Sequence, residues 1–236
     1  MTGLGRDTSG LAAGAPGSTW NMEQALASGL VALGLDLGPE QRALLLDYLG
    51  LIQKWNKVYN LTALRTPQEM FSHHLMDSLA VVAPLRRQLG LATGAVGPGH
   101  RVLDVGSGAG LPGVVLAICC PALAVDCVDT VAKKAAFIQQ VAVQLKLANL
   151  RGLHERVERL PGPYDLVCSR AFSSLADFVA WSGQALAGEG VWMAMKGKHP
   201  ADEIAALPVG VVVFHVEPLQ VPGLEADRCL VWIKKT

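Results

Sequence analysis

The sequence carries no excess charge of either sign. Lys and Arg total 20 and Asp and Glu total 20, so no overall positive field points to non-specific nucleic-acid binding. A local basic patch would not register in that sum. No uninterrupted apolar run of about 18 residues occurs, and Met1 to Thr19 lacks the apolar core of a secretory signal, so neither a membrane span nor an export leader is expected. The five cysteines (Cys119, Cys120, Cys127, Cys168 and Cys229) form no CxxC pair and lie in apolar segments. That pattern predicts buried thiols in a reducing compartment rather than a disulfide framework or a metal site. The expectation is a soluble cytoplasmic protein, acting as a monomer, without a metal. With 236 residues, 51% hydrophobic and 17% charged, the chain can build one well-packed domain plus an appendage.

Residues 1–19 are mostly Gly, Ala, Ser and Thr, with almost nothing to bury, and a disordered tail is expected there. From Trp20 to about Leu89 the periodicity is helical. Ala43, Leu44, Leu46, Leu49, Leu51, Ile52 and Trp55 recur at three- and four-residue steps after a Gly38-Pro39 start. Another helix opens at Thr66-Pro67-Gln68-Glu69, where a capping threonine, a first-turn proline and a glutamate three residues on coincide. A Gly/Pro-rich hinge, Thr93 to Gly99, closes this helical extension (20–92) and opens the main domain (93–236). In that domain six apolar runs read as strands: Val102–Val105, Val125–Val128, Leu166–Cys168, Val191–Met195, Val211–Val216 and Leu230–Ile233. Helical stretches at Ala132–Ala148 and Ser174–Ala187 alternate with the earlier ones. The pattern predicts an α/β fold with a mainly parallel sheet covered on both faces. The last two strands lack a long helix between them and read as an antiparallel hairpin at the sheet edge.

The densest signal follows the first strand. Val102-Leu103-Asp104-Val105 runs into Gly106-Ser107-Gly108-Ala109-Gly110-Leu111-Pro112-Gly113, four glycines in eight residues. Ligands of doubly wound sheets sit beyond the carboxyl ends of the strands, and glycines let backbone approach them. Gly108, Gly110 and Gly113 also match GxGxxG, which dinucleotide sites share. Asp104, immediately before the loop, would repel a pyrophosphate at the helix N-terminus and points instead to a cationic nucleoside without phosphate. Asp129, 25 residues later, closes the second apolar run, from where an acid can accept from both ribose hydroxyls. S-adenosylmethionine has those properties. A purely structural turn and a nicotinamide site are the alternatives at this point.

Several separate motifs occur in order: N-K-V-Y-N-L-T (Asn56–Thr62), H-H-L-M-D-S (His73–Ser78), the glycine loop (Asp104–Gly113), S-R-A-F (Ser169–Phe172), Lys196-Gly197 and D-R-C-L (Asp227–Leu230). Together they resemble the bacterial 16S rRNA guanine-N7 methyltransferase family, also called glucose-inhibited division protein B, from about Trp20 to the C-terminus. The family commonly has Arg-His at His73-His74 and His-Leu at Cys229-Leu230. The resemblance implies a class I S-adenosylmethionine-dependent methyltransferase, Rossmann-like with a seven-stranded mixed sheet and an N-terminal helical extension. It implies methylation of N7 of one guanine in the decoding-region hairpin of 16S rRNA, in naked RNA or in the small ribosomal subunit. Cofactor contacts would fall at Asp104, Gly106, Ser107, Gly108, Gly110, Leu111 and Asp129, at Val157 and Glu158 after the third strand, and at Arg170 after the fourth. RNA contacts would fall at Lys57, Asn60, Lys196 and Arg228; Lys57 and Asn60 could instead donate to the glycine loop, and Asn60 is read equally as a structural loop cap.

Guanine N7 carries an exposed lone pair and attacks a methyl sulfonium without losing a proton, so the chemistry needs positioning and no strong base. Arg170 and Lys196 are the candidates for that positioning. The N-P-P-Y tetrad of exocyclic-amine enzymes is absent, Ser169-Arg170-Ala171-Phe172 standing in its place, and no Pro-Cys pair offers a nucleophile for pyrimidine C5. Phe172 is read either as stacking on the base or as packing, and His74 with Asp77 as a pair at the cofactor entrance or as a helix-surface pair. Two other functions stay open: a methyltransferase of proteins or small molecules, and a silent cofactor-binding module. An RNA substrate requires Lys57, Arg65, Lys196, Lys198 and Arg228 to converge around one pocket.

Overall fold

The computed structural model describes residues 20–92, 99–170 and 172–236. The tail expected at residues 1–19, and residues 93–98 of the expected hinge, lie outside the described residues.

Helices fill the N-terminal third. Asn21 caps α1 (Met22–Ala32) by accepting the Gln24 N–H at 3.1 Å. Helix α2 (Pro39–Tyr59) starts on the expected proline and buries a stripe of Leu45, Tyr48, Leu49 and Ile52. It stops at Asn60, whose φ of 49° is left-handed and breaks the ladder. The expected capping box opens α3 (Pro67–Met70): Thr66 Oγ1 accepts the Glu69 N–H at 3.2 Å, and the Glu69 carboxylate accepts the Thr66 N–H at 3.1 Å. The chain then widens into a π-helical turn, Phe71–Met76, before α4 (Asp77–Leu79) and α5 (Val82–Gln88).

Seven strands follow: β1 (Arg101–Val105), β2 (Ala124–Asp129), β3 (Leu150–His154), β4 (Tyr164–Arg170), β5 (Leu186–Lys196), β6 (Val211–Pro218) and β7 (Cys229–Lys235). They form one sheet in the order β3-β2-β1-β4-β5-β7-β6. The first five are parallel, while β7 runs antiparallel between β5 and the edge strand β6. The expected terminal hairpin is therefore present. Between the strands lie α6 (Gly113–Cys119), α7 (Ala132–Gln144), α8 (Leu175–Ser182) and α9 (Ala201–Ala205). Alternate residues feed two cores. Val102, Leu166 and Cys168 join one with the helical extension, α6 and α7, and Leu103, Val105 and Val167 join the other under α8. The extension thus shares a continuous core with one face of the sheet. All five cysteines are buried and unpaired, as their apolar surroundings predicted.

Three expectations about the elements need correction. Strand β3 is absent from the six apolar runs because its inward residue is Gly152, against which the backbone of α7 packs; a Cβ there would sit 2.6 Å from the Ala135 carbonyl oxygen. Helix α7 ends at Gln144 rather than at residue 148, where Lys146 adopts a left-handed φ of 54°. The helix expected over Ser174–Ala187 stops at Ser182, because Ala185 and Leu186 already enter the neighbouring ladder beside Tyr164.

Candidate functional site

The parallel strands bring Val105, Asp129 and Arg170 to one edge of the sheet, and antiparallel β7 begins beside Lys196, so Arg228 arrives at the same edge. After β1 the chain turns through Gly106 at φ +64° and Gly110 at φ +89°, regions that strain any residue with a Cβ. The turn is held from two directions. Val128 O accepts the Gly106 N–H at 2.9 Å, and Asp129 accepts the Gly108 N–H at 3.0 Å and the Val131 N–H at 2.9 Å. From the other side, the Tyr48 hydroxyl donates to the Ala109 carbonyl at 2.8 Å. Tyr48 is fully buried on α2, so the helical extension directly braces the loop.

Two cavities flank this turn. The larger, about 580 Å³, is bordered by Gly106, Ser107, Gly108, Leu111, Arg170 and His74, and further by Asp77, Lys196 and Arg228. The smaller, about 210 Å³, lies over Asp129, Val157 and Glu158 and also touches Gly106. The Phe172 ring rests on Gly106 where the two meet: a Cβ there would lie 2.7 Å from Phe172 Cδ2. Phe172 belongs to the smaller cavity and packs edge-on against Trp181 and Phe178.

A shared ion network forms one wall of the larger cavity. Asp77, just after the π-helical turn, is 3% exposed and accepts from Arg170 Nη1 at 3.0 Å and from Arg228 Nε at 2.9 Å. Arg170 also donates to the His73 carbonyl at 2.7 Å and to His74 Nδ1 at 3.3 Å. His74 is therefore the neutral tautomer that carries its proton on Nε2 and donates to Thr62 Oγ1 at 2.8 Å. Burial, helped by the Arg170 charge, pushes the His74 pKa down to about 4. Asn56, itself buried, accepts the Thr62 N–H at 2.9 Å and donates to the Leu64 carbonyl at 3.0 Å. The Asn56–Thr62 motif is thus a brace behind His74 and Arg170.

Not every predicted residue faces a cavity. Asp104 has no exposed surface and lies behind the turn, where its Oδ2 accepts the Gly113 N–H at 2.8 Å; burial raises its pKa to about 7. It cannot touch a ligand from there. Gly110 also faces inward, toward Val114, Ile138 and Tyr48, and its part is to admit the turn. Lys57 and Asn60 lie away from the cavities: Lys57 is exposed on the last turn of α2, and the Asn60 side chain accepts from Arg65 at 3.3 Å. Of the five basic residues required to converge, Lys196 and Arg228 border the larger cavity. Lys198 borders an adjoining one that shares Gly197 and Arg228, while Lys57 and Arg65 border neither. Lys196 is paired with Glu203 at 2.7 Å.

Tyr48 and Glu203 were not anticipated, whereas Thr62 closes the Asn56–Thr62 motif read from the sequence. Only Tyr48 left a signal, a hydroxyl on an otherwise apolar helical stripe that needs a buried acceptor.

The family model described as rRNA small subunit methyltransferase G (GidB) matches residues 41–231. The chain belongs to this family. Ribosomal RNA small subunit methyltransferase G of Acidovorax sp. strain JS42 is 65% identical over 219 residues, which cover 92% of this chain and 97% of that protein. The protein of the same name from Verminephrobacter eiseniae strain EF01-2 is 56% identical, with 99% of this chain and 98% of that protein covered. Among solved structures, TrmN from Thermus thermophilus superposes with a TM-score of 0.52 at 20% identity, over 74% of this chain and 55% of that one, a likeness of fold alone. The sheet is the class I methyltransferase sheet that the sequence motifs implied, and the chain is a methyltransferase.

Proposed function

We propose that the chain transfers a methyl group from S-adenosylmethionine to N7 of a specific guanine in the decoding-region hairpin of 16S rRNA, within the cytoplasm. The observation that carries this reading is the junction of the two cavities at Gly106, with Asp129 on one side and the cations Arg170, Lys196 and Arg228 on the other. The side-chain-free turn and the Asp129 carboxylate fit a ribonucleoside. Asp129 would take the ribose hydroxyls, Val157 and Glu158 would border the base, and Gly106, Ser107, Gly108, Leu111 and Arg170 would enclose the methionine end. When bound, this cofactor supplies an electrophilic methyl carbon on sulfur.

The protein's own contribution is geometric. Guanine N7 offers an exposed lone pair and carries no proton, so it would accept the methyl carbon that this cofactor supplies without needing a base from the protein. Among the described residues at the larger cavity, the one acid, Asp77, and His74 suit that chemistry. Asp77 is committed to two arginines, and His74, with a pKa near 4 and its Nδ1 occupied, is a poor base. Holding nitrogen, carbon and sulfur in line can supply roughly 7–11 kcal/mol of the barrier. Arg170 and Arg228 can present N–H groups to guanine O6 or to phosphate.

The test is to incubate the protein with labelled S-adenosylmethionine and small ribosomal subunits, then map the modified base by strand scission at N7-methylguanine. A single labelled guanine in the decoding-region hairpin is expected. Label found only in protein, or at an exocyclic amine, would overturn the assignment.

A further inference from the structure

We propose that Asp77 is a positioning residue that holds Arg170 and Arg228 as a matched pair, so that one buried carboxylate sets the geometry of the cationic wall facing the RNA. The inference rests on the function proposed above.

The three residues come from separate parts of the fold. Asp77 opens α4 after the π-helical turn, Arg170 ends β4 and Arg228 precedes β7, at 93 and 151 residues' separation from the acid. Each carboxylate oxygen takes a different arginine, Oδ2 from Arg170 and Oδ1 from Arg228. Two arginines on one carboxylate leave one positive charge in excess, and all three side chains border the larger cavity. The arginine side chains keep 19% and 23% of their surface, against 4% for the acid, so the acid is sealed in while the guanidinium groups reach the cavity. The donors divide in the same way. Arg228 uses Nε for Asp77 and Nη1 for the Asp227 carbonyl, and its Nη2 makes no hydrogen bond among the described residues. Arg170 is fixed further by the His73 carbonyl and by His74, which Thr62 holds in turn.

A long arginine side chain loses much rotamer freedom on binding a planar acceptor, and a fork already oriented loses less. Asp77 performs that orientation for two arginines at once. The π-helical turn delivers it, in keeping with the frequent occurrence of such turns at functional sites.

Three measurements test this. In the full-length protein, without substrate, the Arg228 Nε–H resonance should exchange with solvent about tenfold or more slowly than free arginine, and Asp77→Ala, which removes both acceptors, should abolish that protection. Asp77→Asn keeps the size but offers one acceptor and one donor, so it can hold only one arginine; kcat for methylation of small subunits should fall about tenfold or more. Asp77→Glu keeps both acceptors at the cost of an extra methylene in a packed site, so it should recover activity relative to Asp77→Asn while being no more stable. Activity that follows melting temperature across the two variants, or an Asp77→Asn kcat within about twofold of the parent, overturns the proposal. Should Asp77→Asn not fold, Arg228→Lys replaces the Nε donor from the other side; an unchanged kcat there overturns it equally. A parent protein that fails to methylate the subunit but still shows the protected Nε–H removes the functional reading and leaves the clamp standing.

Discussion

Asp104 is the most sharply testable group in the structure, because it is a carboxylate in the wrong place for a surface charge. Its side chain is completely buried beside Cys127, Cys168 and the Tyr48 hydroxyl's helix; Oδ2 accepts one N–H from Gly113, and Oδ1 has no hydrogen-bond partner among the described residues. Burial drives its pKa from 3.8 to about 7, offset in part by the Gly113 N–H and by Arg170. A raised folded-state value means that the folded chain holds the proton more tightly than the unfolded one. The stability this confers is complete below pH 3.8 and is lost as pH rises to about 7. Three units at 1.36 kcal/mol each amount to about 4 kcal/mol of stability withdrawn by pH 8. Asp104→Asn keeps the acceptor for Gly113 and cannot ionise, so it escapes the loss. Urea denaturation of parent and variant from pH 4 to pH 8 should show a difference near zero at pH 4 that grows to about 2–4 kcal/mol in favour of the variant at pH 8. Calorimetry should give cofactor affinity within about threefold of the parent, because the carboxyl group is sealed behind the turn and borders neither cavity. A difference that stays flat with pH, or that favours the parent at pH 8, would refute the argument that burial dominates this group.

Other outcomes follow from the same contacts. Tyr48→Phe removes the hydroxyl bonded to the Ala109 carbonyl and should weaken cofactor binding by about 1 kcal/mol, roughly fivefold by calorimetry, with an intact fold by circular dichroism. Asp129→Ala deletes the acceptor for the Gly108 and Val131 N–H groups as well as the proposed ribose acceptor, so affinity should fall by about 1.5–3 kcal/mol and the melting temperature should drop with it. Gly106→Ala adds a Cβ at φ +64° against the Phe172 ring, which should cost about 1–2 kcal/mol in denaturant unfolding; pairing it with Phe172→Ala should recover the steric part only. Arg228→Ala should reduce rRNA methylation about tenfold or more while cofactor affinity changes little, and equal losses would show that Arg228 serves the cofactor instead.

The strands and the glycine turn were legible in the sequence because their signals are local. An apolar run or a cluster of glycines reports its own neighbourhood, and β1, β2, β4 and β7 contain the runs that predicted them. Strand β3 failed that test for a physical reason: Gly152 gives up its side chain so that the backbone of α7 can close on it, and the missing apolar residue is the cost of that contact. The π-helical turn has no turn residue to announce it, since Phe71 to Met76 satisfies the same composition as an ordinary helix.

At the site the limit of local signals is sharper, and Asp104 and Asp77 show why. Both acids stand in motifs, where the sequence reads Asp104 as an anion placed to meet a ligand and Asp77 as partner of His74, at the cofactor entrance or on a helix surface. What each does is decided by partners that no spacing rule connects. Asp104 lies beneath the turn, with Cys127 and Cys168 as its lateral neighbours in β2 and β4, and its charge is suppressed. Asp77 meets Arg170 and Arg228 only because the order β4-β5-β7 carries their ends to one edge, where two cations offset its burial. The deduction that an acid ahead of the turn meets a cationic nucleoside therefore loses its basis in direct contact, because Asp104 borders neither cavity. The weight passes to Asp129, which stands at a cavity mouth with the turn's Gly108 N–H on one oxygen and the Val131 N–H on the other. A ribose hydroxyl taken there, as proposed above, would share that carboxylate with Gly108 and would couple cofactor binding to the conformation of the turn through a single side chain.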